Sequence, residues 1–211
     1  MKQRVFNLII LDESGSMSSI ACEAITGVNE TVQTIRLAQK EHMEQEHFVT
    51  IVSFNSSHVN TIYDRFEASK VEKLTSQQYR PAACTPLYDA MGNALTKLRD
   101  KVSDNDVVLV TIITDGYENA SREYNCTSIN ALVDELKKKD WVFTYIGANQ
   151  DVEKVAATIS ITNTLKFNAS REGTHAMFAK ERKSRSRFFS RLSCGMKEML
   201  SDDYFKDDDD D

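Results

Sequence analysis

The sequence predicts an α/β fold: a doubly wound, mostly parallel six-stranded sheet with one antiparallel edge strand and helices on both faces. Three observations carry this. Short, nearly continuous apolar runs alternate with segments of helical periodicity, as in parallel strands buried on both faces and joined by crossover helices. Two of the runs follow one another across the polar turn Asn55-Ser56-Ser57, which marks a hairpin and an antiparallel edge. A chain of 211 residues with 41% apolar content can bury one substantial core, so residues 1–200 are expected to form a single domain.

The elements follow in order. "VFNLIIL", residues 5–11, is a strand buried on both faces. Ile20, Ala24, Val28, Val32, Ile35, Leu37 and Ala38 recur at helical spacing and predict a long helix over 18–44. "HFVTIVSF", residues 47–54, is the second strand and residues 59–66 its hairpin partner. Residues 71–79 are expected to form a short helical connection. Pro86 then takes the first helical position with Thr85 as cap, and Leu87, Met91, Ala94, Leu95 and Leu98 share one face. "VVLVTIIT", residues 107–114, is the strongest strand, ending at Asp115-Gly116. A helix over 127–139, a strand over 141–147, a short helix over 152–158, a strand over 163–168 and a final helix over 174–200 complete the pattern.

Charge excludes one class of function. The net charge of -6 is the sum of Asp202, Asp203, Asp207, Asp208, Asp209, Asp210 and Asp211 against Lys206, so the residues before Asp202 are formally neutral. A simple nucleic-acid binder needs a basic surplus to displace counterions from phosphates, and none is present. Residues 201–211 are expected to be an acidic disordered tail. No apolar window approaches the roughly 18 residues of a membrane span, and the N-terminus lacks a signal-peptide pattern. Cys22, Cys84, Cys126 and Cys194 are widely spaced with no CxxC pair, which predicts reduced thiols and a cytoplasmic location.

In a doubly wound sheet the first and fourth strands are neighbours, and ligands bind beyond their carboxyl ends. Those strands end in Asp12 and Asp115. Ser14 and Ser16 alternate with Asp12 along the chain, and an extended segment would turn all three to one side. Thr85, at the start of its helix, is expected in the same crevice. Two carboxylates and three hydroxyls, with no lysine or histidine at matching spacing, suit a hard divalent cation. Mg²⁺ fits so few charged ligands, with Mn²⁺ or Ca²⁺ as alternatives. A coordination sphere left incomplete invites an Asp or Glu from a protein partner.

"DESGS" at 12–16, "TP" at 85–86 and "TDG" at 114–116 together resemble the three parts of a metal-ion-dependent adhesion site. The element order over residues 4–200 resembles a von Willebrand factor type A (vWA) domain, of the intracellular bacterial kind. The resemblance implies that Ser14, Ser16 and Thr85 ligate the metal directly, while Asp12 and Asp115 act mainly through water or hydrogen bonds. It implies a protein-binding module, not an enzyme, working in the assembly or regulation of a cytoplasmic complex, such as one with an ATPase or a stress-response protein. Cys84 departs from the glycine-like residue common before that threonine and is expected to be packed and inert.

Other readings compete. An aspartate at the end of a first strand is also where metal-dependent phosphohydrolases place a nucleophile, so Asp12 could serve such an enzyme; Ser14 in place of a second acid weakens that. Glu13 and Asp89 are expected to be solvated or to act as first-turn dipole partners. His42, His47, His58 and His175 are expected at the surface or its boundary. "YENASREYNC", residues 117–126, is expected to form part of a rim that touches the partner. The last helix carries eight Lys or Arg against three Glu over 171–200, and is read as a sheet-covering helix with a solvated basic face. The aspartate tail is expected to fold back on that face.

Overall fold

The computed structural model describes residues 2–148, 151–196 and 204–206. Its six strands are β1 (Gln3–Asp12), β2 (Gln45–Asn55), β3 (His58–Glu67), β4 (Val107–Thr114), β5 (Val142–Ala148) and β6 (Asn163–Phe167). They form one sheet in the order β3-β2-β1-β4-β5-β6. All neighbours are parallel except β2 and β3, the hairpin pair. The predicted fold class and the antiparallel edge are therefore correct. β1 lies between β2 and β4, so the strands carrying Asp12 and Asp115 are adjacent.

The five α-helices among the described residues are α1 (Ala21–Glu41), α2 (Leu87–Arg99), α3 (Cys126–Lys137), α4 (Val152–Thr158) and α5 (Arg171–Ser193). They divide the core in two. Val5, Ile9 and Leu11 of β1 pack with α1 and α5, while Phe6, Leu8 and Ile10 pack with α2, α3 and α4 on the other face. This is the period-2 alternation of a strand covered on both sides. Burying side chains of this size contributes about 1.5–3 kcal/mol each. Where α1 crosses α5, Gly27 lies against the Phe178 ring, and a Cβ there would fall 2.0 Å from that ring. No helix of the described residues is long and apolar enough to cross a membrane.

Several expectations need correction. Residues 71–79 form no α-helix; a 3₁₀ turn covers Ala68–Lys70 and irregular chain follows. The reason lies in α1, whose side chains take the backbone groups a helix would use. Arg36 donates to the carbonyls of Ala68 and Val71, and Asn29 bonds both the carbonyl and the amide of Leu74. α1 itself starts later than expected, after a 3₁₀ turn over Gly15–Ile20.

The last helix is not simply amphipathic. Arg185, one of its basic residues, is fully buried and bonded to Glu181 at 2.7 Å, to Asn7 on β1 at 2.8 Å and to Thr111 on β4 at 2.7 Å. His47 is also fully buried, with its ring edge-on to Phe189, so it is not a surface residue. Tyr204 and Phe205 fall in the stretch expected to be disordered, yet both are buried against α5. The Tyr204 hydroxyl reaches Glu181 at 3.3 Å, its amide donates to Asn163, and its carbonyl accepts from Arg187. The aspartates at 207–211, and their expected contact with the basic face, lie outside the described residues, as do positions 197–200 of the predicted last helix.

Candidate functional site

β1 and β4 end side by side, and the chain leaves them toward opposite faces of the sheet. β1 leads into α1 and α5's layer, whereas β4 leads by residues 115–125 to α3. The crevice between these exits receives the polar side chains. Asp12, at the end of β1, is fully buried. One carboxylate oxygen accepts from the Ser14 amide at 2.7 Å and the other from the Thr114 hydroxyl at 2.6 Å. Ser14 is extended and Gly15 begins the 3₁₀ turn, so the alternation expected of a strand holds only as far as Ser14. The turn nevertheless leaves the Ser14 and Ser16 hydroxyl oxygens 3.1 Å apart, and Ser16 donates to Asp115 at 2.5 Å.

Thr85 completes the group, but not as a helix cap. α2 begins at Leu87 after a non-helical Pro86, with no side-chain cap from Thr85. The amides of Tyr88 and Asp89, which a cap would satisfy, are bonded instead to Glu118 and to the Ser121 hydroxyl. The Thr85 side chain is left to face Gly116. A Cβ built on Gly116 would lie 3.4 Å from Thr85 Oγ1, 3.6 Å from Ser16 Oγ and 4.0 Å from Asp12 Oδ2. Oxygens from two separate segments, 12–16 and Thr85, thus converge beside a residue of a third that has no side chain.

The electrostatics of the crevice are incomplete. Burial pushes the Asp12 carboxyl up to about 6, against hydrogen bonds from Thr114 and Ser14, and the neighbouring Asp115 charge adds to the rise. Burial also raises Asp115, opposed by the Ser16 hydroxyl. Among the described residues no cationic side chain pairs with either carboxyl. Beneath them Tyr79, itself raised by burial and by these acids, donates its hydroxyl to the Asp12 carbonyl at 2.6 Å. Among the described residues no group of three or more His, Cys, Asp or Glu side chains gathers as for a metal ion. The donor set here consists of hydroxyls with two carboxylates, all hard oxygens of the kind that suit Mg²⁺, Mn²⁺ or Ca²⁺.

The neighbours of the site behave differently from expectation. Glu13 is buried, not solvated: it accepts from the Arg80 amide at 2.6 Å and meets His58 Nε2 at 3.2 Å. It therefore ties the end of β1 to the β2–β3 hairpin. Asp89 is also committed, accepting the amides of Arg122, Glu123 and Tyr124. Cys84 is exposed, not packed. Its amide and carbonyl are both bonded to Ser56, which turns the thiol outward. The acids of 12–16 and 114–116 were visible as motifs, but nothing in the pattern of the sequence marked Tyr79 or Asn119 as supports of the site.

A doubly wound sheet with an acid-and-hydroxyl crevice at the end of its two central strands defines an α/β domain of the type that carries its ligand crevices at such strand ends. The family model described as von Willebrand factor type A domain matches residues 8–184, and the chain belongs to that family. No curated protein matches the sequence. Among solved structures, a D319A mutant of the PilB minor pilin from Streptococcus sanguinis is similar with a TM-score of 0.62 at 12% identity, over 92% of this chain and 64% of that one. Proximal thread matrix protein 1 from the mussel byssus, with a zinc-occupied MIDAS motif, has a TM-score of 0.55 at 12% identity, over 88% of this chain and 46% of that one. Manganese-loaded TRAP protein of Plasmodium vivax has a TM-score of 0.54 at 17% identity, over 83% and 72%. The chain spans less than two thirds of the pilin and byssus chains, and likeness at these identities concerns the fold.

Proposed function

We propose that this domain is a protein-interaction module that binds a partner Asp or Glu through a divalent cation. Ser14, Ser16 and Thr85 would hold the ion directly, with Asp12 and Asp115 behind them acting through hydrogen bonds or water. Mg²⁺ is the favoured ion, and Mn²⁺ or Ca²⁺ satisfy the same oxygens. The observation that carries the reading is the convergence of Thr85, Ser16 and Asp12 on the space beside Gly116, around two buried carboxyls that no cationic side chain among the described residues neutralises. A bound dication would supply the missing charge. The zinc-occupied motif and the manganese-loaded protein among the similar structures support it.

A partner carboxylate would fill the coordination position that this chain leaves open. The setting proposed is a cytoplasmic complex, with an ATPase or a stress-response protein as the partner class. Support for that compartment is that Cys22, Cys84, Cys126 and Cys194 are all unpaired. The phosphohydrolase alternative is weakened by Ser14, a hydroxyl that stands two residues after Asp12 where such an enzyme would carry its second acid. Affinity capture with the intact chain tests the proposal. A partner should be retained in Mg²⁺, released by chelator and lost from a Ser14→Ala, Ser16→Ala variant. Retention in chelator, or phosphate-ester turnover abolished by Asp12→Ala, would remove the proposal.

A further inference from the structure

Residues 117–126 are longer and more polar than a connection between β4 and α3 requires. In the structure they are laced to the start of α2. Glu118 accepts from the amides of Tyr88, Ala120 and Ser121 at 2.7–2.9 Å. Asp89 in return accepts from the amides of Arg122, Glu123 and Tyr124 at 2.8–2.9 Å. Each segment thus supplies the acid that satisfies the other's backbone. Carboxylate-to-amide bonds of this kind are the stronger, charge-assisted sort, and together they fix a loop that composition alone would leave mobile.

At the head of this lacing stands Asn119. Its Oδ1 accepts from the Thr85 amide at 2.9 Å, and its own amide donates to the Thr85 carbonyl at 3.1 Å. Both peptide groups of Thr85 are therefore held by one residue. We infer that Asn119 is a positioning residue for Thr85, and that residues 116–125 are the buttress of the site and not a loose rim awaiting a partner. The inference rests on the cation reading given above.

The physical case is a competition for the Thr85 hydroxyl. A threonine just ahead of a helix ordinarily turns its side chain to the first free amides, as capping residues do. Here Glu118 and Ser121 already occupy the Tyr88 and Asp89 amides, Pro86 has none to offer, and no side-chain cap forms. The loop thus takes up two of the amides at the start of the helix, and Asn119 fixes the backbone from which the hydroxyl projects toward Gly116. Asn119 is itself exposed, so its side chain can be changed with little disturbance of the core.

Two variants of the intact chain test this, Asn119→Ala and Asn119→Asp, the second keeping an oxygen to accept from the Thr85 amide. Mg²⁺ affinity is read by calorimetry, and amide hydrogen exchange of residues 82–88 is read in metal-free protein. Asn119→Ala should bind Mg²⁺ about fivefold more weakly, the scale of one lost hydrogen bond, with faster exchange at Thr85 and a thermal midpoint close to wild type. Asn119→Asp should restore both readouts to within about twofold. Wild-type affinity and exchange in Asn119→Ala would overturn the inference, as would an Asn119→Asp variant as impaired as the alanine. A wild-type chain that takes up no Mg²⁺, combined with faster Thr85 exchange in Asn119→Ala, would overturn the cation reading while supporting the clamp.

Discussion

The strands β1 and β4 carry two buried polar clusters, and the difference between them separates architecture from function. At mid-strand, Asn7 and Thr111 hold Arg185, which is paired with Glu181. At the carboxyl ends, Asp12 and Asp115 sit among hydroxyls with no cationic side chain of the described residues beside them. The first cluster contains its own counterion and its hydrogen bonds close on one another. Its acid also accepts from Thr31 and from Tyr204. The second is short of positive charge. A cluster complete within the chain fixes α5 against the sheet, whereas one that is incomplete is suited to a ligand brought from outside.

Breaking the complete cluster should have the largest effect. Arg185→Met would leave Glu181 buried without its partner, and the expected loss is about 3–5 kcal/mol in urea unfolding. Mg²⁺ should not recover it. Replacing Glu181 by Met in the same chain should recover much of the loss, because apolar pairs of similar volume tolerate such sites. An Arg185→Met variant of wild-type stability would show that the two clusters do not differ in the way described.

Changing the incomplete cluster should act in the opposite direction. In metal-free protein at neutral pH, Asp12→Asn should raise stability by about 1–2 kcal/mol, since it removes a buried charge whose desolvation the hydrogen bonds from Ser14 and Thr114 offset only in part. The same substitution should abolish the stabilisation by saturating Mg²⁺, which for the wild type is about 2.7 kcal/mol at one hundred times the dissociation constant. Loss of stability in metal-free Asp12→Asn would mean that the carboxylate is already compensated.

pH sharpens the comparison through two groups of opposite sign. Asp12 is raised from 3.8 to about 6 by burial, so the folded state holds its proton longer than the unfolded chain. Its contribution is present below about 3.8 and is lost as pH rises through about 6. His47, beside the complete cluster, is lowered from 6.5 to about 3, by burial first and then by Arg185 and His42. It contributes stability above about 6.5 that is lost as pH falls toward 3. Saturating Mg²⁺ should remove the loss on the rising side and leave the acid-side loss intact. His47→Gln should do the reverse. Urea midpoints between pH 4 and 8 check both, and a Mg²⁺ effect confined to the acid side would contradict the assignment.

The smallest expected change is at the edge of the complete cluster. Tyr204→Phe removes only the 3.3 Å bond to Glu181 and keeps the packing against Phe188, so it should cost about 0.5–1.5 kcal/mol. A loss larger than that of Arg185→Met would place the cluster's main support at Tyr204.

Much of this was legible in the sequence because it depends on local pattern. The apolar runs located the strands, and the hairpin turn identified the antiparallel edge. Acids at the ends of the first and fourth strands were enough to bring Asp12 and Asp115 together once the strand order was known. The failures are long-range. Nothing local shows that Arg36 and Asn29 of α1 would take the backbone groups of residues 68–74. Nor does it show that Glu118 would fill the amide left for Thr85 to cap. Arg185 lies in a helix whose overall polarity conceals a buried charge, and its partners Asn7 and Thr111 are 178 and 74 positions away. Glu13 and Asp89 looked solvated for the same reason: the amides that bind them belong to other segments.

The most direct test is a calorimetric titration of Mg²⁺ into wild type and into the Ser14→Ala, Ser16→Ala variant, with the fold of each checked by circular dichroism. The wild type should bind one ion per chain, and the folded variant none. Equal affinity in the two would mean that the ion lies elsewhere, and a wild type that binds no divalent cation would contradict the account that the incomplete cluster awaits one.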